Sequence, residues 1–463
     1  MDAQTVYHPH FGAGTLLRSY MGGYEWEVQF DSGLRFRLPA REFSPSAVPA
    51  LAVAEPPPVL LRPALETEQF RARQTLEALR LGIVPVQDAE TLTIGLEAER
   101  VTLDRAFDRS RERSGDVLAV IGDYGFGKSH FIELAARRGL RENFIIASAS
   151  LDLVETPPGK AHKIYEALMA SLRYPDRDAR GLTPLLQQAL ERPAVLGEFI
   201  QRSPREANQC PLAAALLALQ DCPSQSAFEQ TVAWLGGQAR PQAEMKTCLK
   251  RPPRLYLNGP NARQYSYMLT GIGLLATMLG YNGLAILIDE SEHYSLLPAM
   301  QRERADAFFK AMIVSALGMN NGRIQPREVA EDLRAEYPIS FTSEPHLLFL
   351  FALTESADRM PVGSWLAASH LVRLDDRFIE RDIREFTAAL LRYHALAYDY
   401  RPDRRHDEIM GSAPGLLSRS LSQHRINLRE LIRTAVTVCD LLFLYPDYAP
   451  GEMVEELRRG LKV

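Results

Sequence analysis

The stretch from Val117 to Glu133 constrains this chain more than any other. Gly122, Asp123, Tyr124, Gly125, Phe126, Gly127, Lys128 and Ser129 follow the pattern G-x-x-x-x-G-K-S, which describes a loop that wraps phosphate groups. The apolar run at 117–121 before it reads as a buried parallel strand, and the segment from Phe131 onward reads as a helix. Gly122, Gly125 and Gly127 allow a tight turn with backbone N–H groups aimed inward. The helix start offers further unpaired N–H groups to the same anion. Lys128 is expected to neutralise charge on the outer phosphates, and the Ser129 hydroxyl to take one position on Mg²⁺. The nucleotide-contacting segment is therefore expected to run from Gly122 through His130, with a ligand-free glycine turn as the alternative.

A second apolar run, residues 284–288, ends in Asp289 and Glu290. In the company of the glycine loop this reads as the metal-side strand of an ATPase. Asp289 would hold Mg²⁺ through water, and Glu290 would orient or deprotonate an attacking water. The second acid resembles AAA+ and RecA-like ATPases and points away from kinase- or GTPase-type loops. Glu292 and His293 have surface contacts as their default. The run 346–353 ends at Thr354, which by spacing and polarity is similar to the sensor 1 residue of AAA+-like ATPases. A threonine capping the following turn is the ordinary alternative. Asn427 opens an amphipathic helix whose Arg429, ahead of Arg433, resembles a sensor 2 arginine reaching the γ-phosphate. A surface ion pair is its alternative. Arg373, Arg377, Arg381 and Arg384 form a basic run with no assigned role, since charge runs are usually solvated faces.

These motifs imply a P-loop NTPase of the AAA+-like kind: an α/β fold with a parallel sheet and helices on both faces. The chain has 463 residues, enough for about two to four domains. Its net charge of -5 argues against a protein that coats nucleic acid by bulk electrostatics, with a local basic stripe as the alternative. Cys210, Cys222, Cys248 and Cys439 contain no C-x-x-C pair and read as reduced thiols. The histidines, with His8 and His10 closest, lack partners at ligand spacing, so a metal held by protein alone is not expected. No signal segment and no membrane-length apolar run is apparent, and a cytoplasmic location follows as the expectation.

In chain order, residues 1–43 alternate as a small SH3- or Tudor-like β-barrel. Tyr24, Trp26, Val28 and Phe30 share one face, a turn at Asp31–Gly33 follows, and Arg35 and Arg37 point outward. Phe11, Trp26 and Phe36 are expected to fill its core. Residues 44–64 are rich in proline and alanine and read as a tether. The ATPase domain is expected at 65–378, with a helical insertion at about 180–250, and a helical lid at 379–463. The opening Val6-Tyr-His-Pro-His-Phe-Gly-Ala-Gly resembles Tudor-like modules found at the end of some bacterial helicases and in the transcription factor CarD. That likeness implies docking to a protein or nucleic-acid partner.

Leu79-Arg-Leu-Gly-Ile-Val-Pro85, Ile94-Gly-Leu-Glu-Ala-Glu99 and the loop from Gly122 to Phe131 together resemble a P-loop family, the ATP-binding proteins of BREX-type bacterial phage-defence loci. Asp123 stands where that family usually has glutamate. The likeness extends over roughly residues 70–445. It implies ATP and Mg²⁺ as ligands, hydrolysis, and work beside a defence-system partner such as a helicase, with self-association open and DNA only weakly supported. A scaffold or switch gated by ATP, with negligible turnover, is the alternative function.

Overall fold

The computed structural model describes residues 4–44, 67–203, 210–238, 243–255, 257–258, 261–318, 323–325, 328–329, 337–354, 360–375 and 378–461, without the side chains of Ser291 and Glu292. The tether expected at 44–64 thus lies, beyond Ser44, outside the described residues, as do Asp376 and Arg377. The chain divides into two compact units, Met1–Glu66 and Thr67–Val463.

The first unit is an antiparallel sheet in the order β1 (Thr5–His8), β2 (Gly12–Tyr20), β3 (Glu25–Phe30) and β4 (Arg35–Pro39). Ser44 bridges back to Tyr7 on β1. A four-stranded sheet therefore stands where the alternation suggests a small barrel. Val6, Val28, Phe30 and Phe43 make its core, and Trp26 packs against them. Two expectations need correction. Tyr24 precedes β3 and is exposed, while Phe11 and Phe36 lie at the surface with ring centres 5.0 Å apart. The core of so small a unit is filled by four side chains, which leaves these rings outside it.

In the second unit, three apolar runs form the centre of a parallel sheet. β5 (Gly115–Gly122), β6 (Ile145–Ser150), β7 (Leu284–Asp289), β8 (Leu347–Leu353) and β9 (Leu371–Leu374) lie in the order β6-β7-β8-β5-β9. Every residue of β5 and β8 is buried, as expected for strands covered on both faces. The pleat sends alternate residues to opposite layers. Val117, Ala119 and Ile121 of β5, with Phe349 and Phe351 of β8, join one core. Leu118, Val120, Leu348 and Leu350 join the other.

The helices Ala161–Ala170, Ala262–Met278 and Ala299–Leu317 cover the first face, together with shorter helices among the described residues between 183 and 248. The helices Glu97–Glu112 and Lys128–Arg141 cover the second. Each fully buried leucine or phenylalanine in these layers contributes about 1.5–3 kcal/mol.

A separate apolar core joins the helix Thr67–Leu81, through Leu76 and Leu79, to the C-terminal helices Glu380–Tyr398, Arg404–Ser422 and Leu428–Leu444. The last of these is fixed at its start by a reciprocal cap. The Asn427 side chain accepts the Glu430 N–H, and the Glu430 carboxylate accepts the Asn427 N–H. Among the described residues, no helix is long and apolar enough to cross a membrane.

Candidate functional site

The buried strand β5 delivers the chain to the glycine loop, and the helix Lys128–Arg141 carries it away. Gly125 and Gly127 have φ of +85° and +89°, which other residues adopt only under strain. Gly122 is needed for a different reason: a Cβ there would lie 2.9 Å from the Leu374 carbonyl oxygen of β9. Gly127 caps the helix without a side-chain bond, so no capping side chain takes up the N–H groups of the first turn. The Lys128 ammonium is buried and donates to the Gly122 and Asp123 carbonyls, each at 3.0 Å.

Across one intervening strand, β7 ends in the two acids. The Ser129 hydroxyl and the Lys128 charge both act on the Asp289 carboxylate, favouring its charged form. The Glu290 N–H also donates to Asp289, at 2.8 Å. Burial nonetheless holds the Asp289 carboxyl above the ordinary aspartate range, with the Glu290 charge adding to the rise. Glu290 itself has φ of +59°, a left-handed backbone in a non-glycine residue. Strain of this kind typically costs about 1–3 kcal/mol. Its carboxylate accepts a 2.6 Å hydrogen bond from Ser150, the residue that pairs with Asp289 at the end of β6.

Lys128, Ser129, Asp289 and Glu290 line one cavity of about 600 Å³. Tyr124, Gly125, Phe126, Gly127, Lys128, Ser129, His130, Asp289, Glu290 and Arg429 all contribute to its wall. Part of its wall is apolar, including Ile83, Val84, Leu92, Leu428 and Ile432. Gly122 and Asp123 stand behind the loop and supply carbonyls, outside the wall. Thr354 follows directly on β8, between β5 and β7, and is likewise not a wall residue. His130 bonds to Thr93 Oγ1 at 3.0 Å, and burial, helped by the Arg100 charge, pushes its imidazole down to about 4. It is neutral at physiological pH.

Arg429 donates to the Tyr124 hydroxyl at 2.6 Å. Arg433 points elsewhere, donating at 3.0 Å to the carbonyls of Arg80 and Leu81 at the end of the helix Thr67–Leu81. Sequence reasoning passed over Ser150, the wall residues Ser148 and Arg173, and Asn427, whose side chain lies against Gly125. The signal for Ser150, a polar residue closing an apolar strand, gains meaning only once β6 is known to pair with β7.

Two oxygen ligands suit a Mg²⁺ ion that takes its remaining ligands from phosphate and water. A half-buried carboxylate raised above its usual range fits a position that expects a cation. The five-stranded parallel sheet, flanked by helices, with a glycine loop and two acids at one edge, is compatible with the P-loop NTPase class. Residues 68–208 match the family model described as BREX system ATP-binding protein BrxC/D, in agreement with the likeness carried by the sequence motifs. That segment includes the glycine loop and ends before Asp289. No curated protein matches the chain.

Proposed function

We propose that the chain is an ATPase that binds Mg·ATP in this cavity and couples hydrolysis to conformational change in a phage-defence or DNA-processing assembly. The observation that carries the proposal is that Lys128 and Ser129, at the start of the loop helix, line the same cavity as Asp289 and Glu290 at the end of β7. Backbone N–H groups from Gly125 to Ser129 would cradle the phosphates, and Lys128 would exchange its two carbonyl bonds for phosphate oxygens. Ser129 and Asp289 would hold Mg²⁺, which when bound neutralises charge developing on the phosphates. Glu290 would orient water and accept its proton, with Thr354 beside it at the sheet edge. The apolar part of the cavity wall would take the base. The β1–β4 unit, with Phe11 and Phe36 at its surface, is assigned to docking a partner.

One observation favours the switch alternative. One carboxylate oxygen of Glu290 already accepts a bond from Ser150, in a strained backbone, and a carboxylate so engaged is a weaker base toward water. Steady-state ATP hydrolysis by the full chain and by Lys128→Ala and Glu290→Gln tests the choice. An ATPase loses at least about a hundredfold in kcat with Glu290→Gln, as expected when a catalytic base is removed, and retains ATP binding; Lys128→Ala loses binding too. Wild-type protein that binds ATP but turns over no faster than Glu290→Gln, alone or with DNA and partners, is a switch.

A further inference from the structure

The first turn of the helix Leu428–Leu444 rests on the glycine loop. A Cβ on Gly125 would lie 3.1 Å from the Asn427 side chain, and one on Gly127 would lie 3.6 Å from Leu428 Cδ2. The Arg429 stem crosses Gly82, with Cδ 2.9 Å from the position of a Cβ there. Its guanidinium ends on Tyr124, donating to the hydroxyl at 2.6 Å with its central carbon 4.8 Å from the ring centre. Tyr124 is 59 % exposed.

Two features of this pair call for explanation. Arg429 places a cation in the first turn of a helix, where the dipole opposes positive charge. Yet its partner is a neutral phenol, and no carboxylate pairs with it among the described residues. Both side chains also line the cavity that holds Lys128 and Ser129. A guanidinium so placed leaves positive charge uncompensated beside the phosphate loop.

We infer that Tyr124 is a positioning residue that holds Arg429 over the loop and so makes it a ligand of the bound polyphosphate. The inference rests on the nucleotide reading proposed above. The ring fixes the guanidinium plane by a cation–π contact and the hydroxyl takes one of its five N–H donors. The remaining donors are free to meet phosphate oxygens. The same contact fastens the C-terminal helices onto the loop, so nucleotide release requires the pair to part.

A double-mutant cycle on the full chain tests this. Affinity for a non-hydrolysable ATP analogue with Mg²⁺ is measured for wild type, Tyr124→Phe, Tyr124→Ala, Arg429→Ala and Tyr124→Ala/Arg429→Ala, with thermal melting as the control for folding. Tyr124→Ala and Arg429→Ala should each weaken binding about tenfold, the scale of one charge-assisted hydrogen bond. The double variant should be no weaker than Arg429→Ala, and Tyr124→Phe should fall between. Wild-type affinity in Tyr124→Ala, or losses that multiply in the double variant, would overturn the inference while leaving the nucleotide site standing. Absence of ATP binding by wild type, or wild-type binding by Lys128→Ala, overturns both.

Discussion

Asp289 carries the most informative electrostatics in the site. Its carboxyl is held up mainly by burial, even though Ser129, the Glu290 N–H and Lys128 all favour the charged form. The folded state therefore binds a proton more tightly than the unfolded chain, and stability that is present at low pH is lost as pH rises through the raised value. Asp289→Asn should accordingly melt higher than wild type at neutral pH without metal or nucleotide. The difference should shrink as pH falls toward the ordinary aspartate value of about 3.9. A variant that melts lower at neutral pH would show the charge to be satisfied by the protein alone. At this scale the sequence was legible wherever chemistry dictates residue type, as in Lys128, Ser129, Asp289 and Glu290. It was silent on Ser150 and on the Tyr124–Arg429 pair, because those contacts depend on which strand lies beside β7 and where the last helices dock.

Among the elements, β5, β7 and β8 announce themselves as apolar runs because both faces of each are covered. β9 does not, since it has four residues and pairs only with the second half of β5. The helix Ala299–Leu317 is also hard to read. Its first turns are solvated and its last turns are buried all round, so no single apolar stripe runs its length. That helix meets the sheet where Gly115 opens β5, and a Cβ at Gly115 would lie 2.1 Å from the Ala316 carbonyl oxygen. Gly115→Ala should therefore cost about 1–3 kcal/mol, the usual penalty for forcing atoms into a packed core. Urea unfolding measures it. An unchanged midpoint would mean that the strand and helix are not packed as described.

The molecule as a whole accomplishes what no single segment can. Ser129 and Asp289 are 160 positions apart in sequence, and the parallel sheet brings them to the wall of one cavity. The C-terminal helices close the same cavity from the other side, sharing a core with the helix Thr67–Leu81 that precedes the sheet. Such long-range assembly was legible only in outline, since motif spacing announces a P-loop fold but not the side chains its loops bring together. Its most direct test is electron paramagnetic resonance of Mn²⁺ as a stand-in for Mg²⁺, titrated into the full chain with and without ATP. The account predicts about one bound Mn²⁺ per chain only when ATP is present, lost in Ser129→Ala and in Asp289→Asn. Bound metal that needs no ATP, or that survives both substitutions, would contradict it.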